Sequence, residues 1–162
     1  MTDQNTDAIV TLIPQNLEYR GSINEALLEA SGEQLDEFVL DNIFKPRPGD
    51  IYAVPSFNLR SAHIFFNVVP VWRTEFDLQD KFLLNAARKS LELATQMGLS
   101  SISIPPMGAG RKAFPKPRAA RQIVQGIIDR LNDDIEEVRI ICNTEDMLDI
   151  FRERLILMGW GG

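Results

Sequence analysis

The sequence contains one cysteine and one histidine in 162 residues. Cys142 has no partner for an internal disulfide, and one Cys with one His is too few for a structural zinc site. No apolar run approaches the roughly 20 residues of a membrane-spanning helix. The opening MTDQNTD is polar and acidic, without the basic and apolar stretches of a secretory leader. A reducing, intracellular setting follows, cytoplasmic by default. The nucleophile motif G-x-S-x-G and the phosphate motif G-x-x-x-x-G-K-[ST] are both missing, as is any EF-hand spacing. Neither a metal nor a cofactor is expected.

Acidic residues are also missing from one long stretch. Between Leu93 and Ile128 there is no Asp or Glu, while Arg111, Lys112, Lys116, Arg118 and Arg121 give the stretch a charge of +5. The whole chain carries −6, so the rest carries −11. Such a chain is a poor generic binder of nucleic acid or anionic membrane. A local basic patch suits one small anion, although a solvated basic helix end has the same signature.

Strand-like and helix-like patterns alternate along the chain. The run DAIVTLI (7–13) is continuous, apolar and rich in β-branched residues, as in a strand buried on both faces. Ser22 and Glu25 form a capping box for a helix that Gly32 would end. EQLDEFVLDNIF predicts a second helix, and DIYAVP and HIFFNVVP predict two strands. A long helix from about 77 to 97 would bury Phe82, Leu83, Ala86, Ala87, Ser90, Leu91 and Ala94. SSISIP is the next strand. A helix over about 117–131 would bury Ala120, Ile123, Val124, Ile127 and Ile128, followed by the strand EVRIIC. Asn143 or Thr144 would cap a final helix. The alternation predicts a three-layer α/β/α sandwich around a mixed, mostly parallel sheet. Residues 1–6 read as a disordered tail, 7–158 as one domain and 159–162 as a second tail.

The stretch PPMGAGRKAFPK (105–116) falls between a strand and a helix. Gly108 and Gly110 would let successive N–H groups converge on an anion, and the helix start would add free donors and its dipole. A tight connection needing glycine only for its dihedrals fits equally well. GAGRKA also fits the dinucleotide fingerprint G-x-G-x-x-[GA]. Yet that fingerprint usually opens a fold, and the strand that follows ends in Asn143 rather than an acid.

SISIPPMGAGRKAFPK resembles the second phosphate loop of macro domains, modules that bind ADP-ribose and sometimes hydrolyse its esters. The similarity is nearest to the macro domain of the macro histone variant, which has G-S-G-R-N-G-F-P-K where this chain has GAGRKAFPK. HIFFNVVPVW resembles the family strand that ends in proline, here Pro70, and shares the Pro-Val-Trp of the histone type. DAIVTLIPQN aligns without gaps to D-A-I-V-N-A-A-N, and RGSINEALLEASG matches the glycine loop and first helix. The likeness spans about 7–155, with specific motifs in the second half and divergent ones in the first.

The resemblance implies phosphate contacts from Gly108, Ala109, Gly110 and Arg111. Gly21, Ser22 and Ile23 would form the opposite wall. Lys112 would add a charge where the family has an aromatic over the distal ribose, and Asn143 would flank adenine. The two Asn positions of the catalytic members are Thr11 and Pro14 here, and Pro14 has no polar side-chain group. The first glycine loop is reduced to RGSI. The family's adenine-binding Asp belongs to a strand upstream of this chain's start, and Asp3 is a poor substitute. Binding of ADP-ribose or a related nucleotide diphosphate without efficient hydrolysis is therefore expected. The alternative is a degenerate macro fold that serves as a protein-interaction module. An unpaired sheet edge also makes a homodimer a candidate assembly. His63 and the LNDDIEE carboxylates carry no motif and read as structural or solvated groups, while Trp72 and Trp160 are candidate partner anchors beside a solvated or structural reading.

Overall fold

The computed structural model describes residues 5–14, 29–69, 76–107, 115–142 and 144–159. In chain order these form β1 (Ala8–Pro14), α1 (Glu33–Asn42), β2 (Ile51–Pro55), β3 (His63–Val69) and α2 (Phe76–Gln96). They continue with β4 (Ser101–Ile104), α3 (Lys116–Arg130), β5 (Glu137–Ile140) and α4 (Glu145–Leu157). The five strands make one sheet in the order β2-β3-β1-β4-β5. β1 runs parallel to β3 and β4, and β4 parallel to β5, while β2 joins the β3 edge antiparallel. The mixed, mostly parallel sheet expected from the sequence is present.

A central strand of a parallel sheet has helices on both faces, so both of its faces must be apolar. β1 meets that demand, since Ala8, Ile9, Val10 and Ile13 are fully buried. Its alternate residues feed two separate cores. Ala8 and Val10 join Phe65, Ile102 and Ile104 against α2, α3 and α4. Ile9 and Ile13 join Ile64, Phe66 and Val68 against Leu35 and Val39 of α1 and Ile43 at its C-cap. These two cores define the three layers.

Helix faces follow the predicted spacing. On α2, Leu83, Ala86, Ala87, Ser90, Leu91 and Ala94 are buried, with Phe82 half-buried at the margin. On α3, Ala120, Ile123, Val124 and Ile127 are buried, and Ile128 packs against the same core. Residues 29–31 are helical and Gly32 follows at φ +95°, a left-handed value that glycine adopts freely. The start of that helix, with its Ser22–Glu25 box, lies outside the described residues, as do Asp3, Pro70, Trp72 and Trp160.

The amino end of β1 is held by side chains. Asp7 Oδ2 accepts N–H bonds from Ser100 at 3.0 Å and Ser101 at 3.2 Å, while the Asp7 N–H donates to Ser101 Oγ at 2.9 Å. Thr6, placed in the tail by its polar surroundings in sequence, is instead buried. Its hydroxyl lies 2.7 Å from Ser103 Oγ. A polar partner on β4 thus satisfies the buried threonine.

Candidate functional site

Four parallel strands end on one side of the sheet: β1 at Pro14, β3 at Val69, β4 at Ile104 and β5 at Ile140. The β1–β4 ladder places Ala8 opposite Ile102 and Ile9 opposite Ser103, and stops there. β1 continues for five more residues to Pro14, about 16 Å of strand, with its β3 register unbroken. Pro105 and Pro106 follow β4 directly and have no N–H with which to extend the ladder. β1 and β4 therefore part company toward the carboxyl edge.

Connectivity reverses at the same place. The chain leaving β1 supplies α1, β2 and β3 on one side, whereas the chain leaving β4 supplies α3 and β5 on the other. A crevice between two such strands is where open α/β sheets bind ligands.

The nine residues expected to contact ligand all lie outside the described residues: Gly21, Ser22, Ile23, Gly108, Ala109, Gly110, Arg111, Lys112 and Asn143. Their segments are nonetheless anchored by described neighbours. The segment 15–28 leaves the end of β1, 108–114 connects Met107 after β4 to Pro115 before α3, and Asn143 links Cys142 to Thr144 before α4. β1, β4 and β5 are neighbours in the sheet, so all three segments depart from one edge.

At this edge the starts of α3 and α4 differ in their electrostatics. At α4, Thr144 Oγ1 accepts the Met147 N–H at 3.2 Å, and Glu145 and Asp146 complement the dipole. At α3 the N-cap is Pro115, which makes no side-chain cap bond, and the first turn contains no acid. The α3 start therefore lacks the side-chain cap and first-turn acids that α4 has.

The basic patch of the sequence is partly neutralised in space. Lys116 Nζ lies 3.1 Å from Asp146 Oδ2 of α4. Arg118 Nε donates to both carboxylate oxygens of Asp80 on α2, at 2.9 and 2.8 Å. Sequence reading missed both acids, because they lie 30 and 38 residues away along the chain. The crevice was missed as well, because the difference between seven-residue β1 and four-residue β4 is set by strand pairing and not written in either stretch alone.

The remaining candidates fall into place. Cys142 is half-buried beyond the end of β5, and burial pushes its thiol pKa up, so it stays protonated near neutral pH. His63 starts β3 at the opposite edge of the sheet, where its N–H donates to the Asp7 carbonyl at 3.1 Å. Asp133, Asp134 and Glu136 are exposed, and the Asp134 N–H closes a turn onto Asn132 Oδ1 at 2.9 Å. Among the described residues no group of His, Cys, Asp or Glu is placed to hold a metal, and no helix is long and apolar enough to cross a membrane.

Comparisons with known proteins agree with this topology. The profile of the Macro domain family matches residues 13–123. The macrodomain of Oceanobacillus iheyensis, in a structure with ADP, superposes with a TM-score of 0.83 at 29% identity, covering 97% of this chain and 86% of that one. An O-acetyl-ADP-ribose deacetylase of Cronobacter turicensis is 26% identical over 96% of this chain and 91% of its own length. A macro domain-containing protein of Xanthomonas axonopodis is 33% identical over 75% of this chain and 70% of its own length. Sheet, strand ends and sequence thus lead to one family, and this chain belongs to the macro domains.

Proposed function

We propose that this protein binds ADP-ribose or a related nucleotide diphosphate in the crevice between β1 and β4, without hydrolysing it efficiently. The observation that carries the reading is the early end of the β1–β4 ladder, at the point of the sheet where both glycine-bearing segments depart. A diphosphate there would meet the N–H groups of Gly108, Ala109, Gly110 and Arg111 on one side. Gly21, Ser22 and Ile23 would face it from the other. The α3 start, uncapped and free of acids in its first turn, adds a favourable dipole. Lys112 would supply a charge-assisted contact, and Asn143 would flank the base.

Weak hydrolysis follows from what β1 offers. A hydrolase must hold a water and the ribose in a reactive geometry. Thr11 is buried inside β1, opposite Phe66 on β3. Pro14 closes the strand and contributes only a backbone carbonyl as a polar group. Neither provides the carboxamide that the catalytic members of the family use. The GAGRKAFPK and Pro-Val-Trp stretches resemble the macro-histone type and favour a similar binding mode, and the single cysteine fits an intracellular setting.

Isothermal titration calorimetry with ADP-ribose on wild type and Gly110→Glu tests the reading, with a chromatographic hydrolysis assay alongside. Saturable heat in wild type and its loss in a folded variant is the expected result. The absence of heat up to millimolar ADP-ribose would overturn it and leave a protein-interaction module.

A further inference from the structure

A groove of about 770 Å³ opens where α3, β5 and α4 meet. Along α3 it is walled by Val124, Ile127, Ile128 and Leu131, spaced i, i+3, i+4 and i+7, so these four form one stripe about 10 Å long. Val138 and Ile140 of β5 floor the groove, and Leu155 of α4 closes its far side. The stripe emerges from the core as it runs toward the amino edge of the sheet. Val124 and Ile127 are buried, Ile128 is half-buried and Leu131 is 38% exposed. An apolar helical stripe left half open between two helices is a seat for a third helix.

The charges on the rim select the occupant. Asp133, Glu136 and Glu137 line the groove, and no cation does among the described residues. Glu137 is answered by Arg139 at 2.9 Å, and Arg139 also donates to Asn5 Oδ1 at 3.1 Å. Arg130, beside the stripe, is held by Glu92 at 2.6 Å. Arg152 and Arg154 of α4 lie outside the lining. Asp133 and Glu136 are exposed and make no ion pair among the described residues. All three acids fall between the end of α3 and the first residue of β5, so they gather at the amino end of the groove. The negative pole of the α3 dipole points to the same end. A second copy of this chain would set its own acids against these, and an acidic or neutral helix would leave them unanswered.

We infer that this groove docks an amphipathic helix of a partner protein, with apolar residues at i, i+3, i+4 and i+7 and a cluster of Lys or Arg at its N-terminal end. The helix lies antiparallel to α3. Its apolar stripe covers Ile128, Leu131 and Leu155. Its N-terminus meets Asp133 and Glu136, so its cations and the positive pole of its dipole act on the same carboxylates. In the reverse direction its negative pole would lie against those acids and against the negative pole of α3. The apolar stripe supplies most of the affinity, while the charges set direction and exclude acidic competitors. The acid end of the groove is at the amino edge of the sheet, opposite the crevice between β1 and β4. Helix and nucleotide therefore do not compete.

Fluorescence anisotropy of a labelled synthetic helix, titrated with the full chain, tests the docking. The probe carries leucines at i, i+3, i+4 and i+7 and three lysines ahead of them. Saturable binding is expected, unchanged by ADP-ribose. A probe of the same composition with its leucines scattered off one face should bind about tenfold more weakly. Moving the lysines behind the leucines should cost about fivefold, and replacing them with glutamates should remove binding. Asp133→Lys combined with Glu136→Lys should weaken the lysine probe by about tenfold and transfer the preference to the glutamate probe, a gain that a misfolded variant cannot show. Glu37→Lys combined with Asp41→Lys, on exposed positions of α1, changes net charge equally and should leave the constant within about twofold. The absence of saturable binding up to millimolar protein overturns the inference. So does equal binding of the lysine and glutamate probes, or a rim reversal without effect. Displacement of the probe by ADP-ribose would put it in the crevice, and a dimer that the probe must first disperse would give the groove to a second copy. Either result would overturn it too.

Discussion

Gly126→Ala should destabilise this protein, although it replaces the worst ordinary helix former with the best. Gly126 sits within α3 where that helix crosses α2. Its φ is not positive, so glycine is not needed there for its dihedrals. A methyl at this position would lie 2.6 Å from Ala87 Cβ, 2.6 Å from the Leu84 carbonyl oxygen and 3.3 Å from the Arg88 nitrogen. Ordinary van der Waals contact is 3.4–4 Å, so the helices would have to part by about 0.8 Å or more. Two of the three obstructing atoms are helix backbone and cannot rotate away. Overpacking of this kind costs about 1–3 kcal/mol, and a contact against rigid backbone belongs at the upper end. The gain in helix propensity offsets about 1 kcal/mol. The net loss is about 2 kcal/mol, or about 4–8 °C in Tm for a chain of this size. Urea unfolding with an unchanged slope, together with scanning calorimetry, measures it. Adding Ala87→Gly should recover only part of the loss, since the Leu84 oxygen stays in place. A midpoint equal to or above wild type would refute the close-packing argument.

Asp7→Asn should flatten the acid limb of the stability profile. The Ser100 N–H, with smaller contributions from the Ser101 N–H and the two hydroxyls, holds the Asp7 carboxyl below the usual carboxylate range. A depressed folded pKa stabilises above the unfolded value of about 3.9, and that contribution is lost as pH falls through the lower folded value. Asn should therefore cost about 1–3 kcal/mol at pH 7 and progressively less toward pH 3; a difference independent of pH in urea titrations would refute the assignment. Asp80→Asn removes the largely buried carboxylate, 20% exposed, that accepts from Arg118, so stability should fall by about 1–3 kcal/mol. Loss of the Asp80 charge beside the α3 start should tighten ADP-ribose binding by about twofold, and calorimetry showing weaker binding would contradict the electrostatic argument. Cys142, with its thiol pKa raised by burial, should react with a disulfide reagent at pH 7 more slowly than a cysteine peptide. Equal rates would show the thiol to be unburied.

The elements were legible where one physical demand dominated the sequence. Burial on both faces dictated the unbroken apolar run of β1, and one-sided burial dictated the spacing on α2 and α3. Strand ends were less legible. EVRIIC reads as one strand through Cys142, but β5 ends at Ile140. The cause lies on its neighbour: the prolines after Ile104 end β4, and β5 loses its ladder partner there. A strand stops where its partner stops, and the partner is 30 or more residues away. The same rule hid the crevice, since no single stretch of sequence records that β1 outruns β4. Thr6 read as tail because its flanks are polar, and only Ser103, 97 residues on, explains its burial.

Charge teaches the same lesson more sharply. The stretch without acids is less positive in space than along the chain. Lys116 and Arg118 stand at the positive end of the α3 dipole, where cations are unfavourable. Asp146 and Asp80, from two other helices, offset them. What a diphosphate would meet at this edge is therefore not a broad field of lysine and arginine, which a chain of net charge −6 could not project far through physiological salt. On the proposed reading it would instead meet the dipole and uncapped N–H groups of the α3 start, a short-range demand that favours a small anion over an extended polyanion.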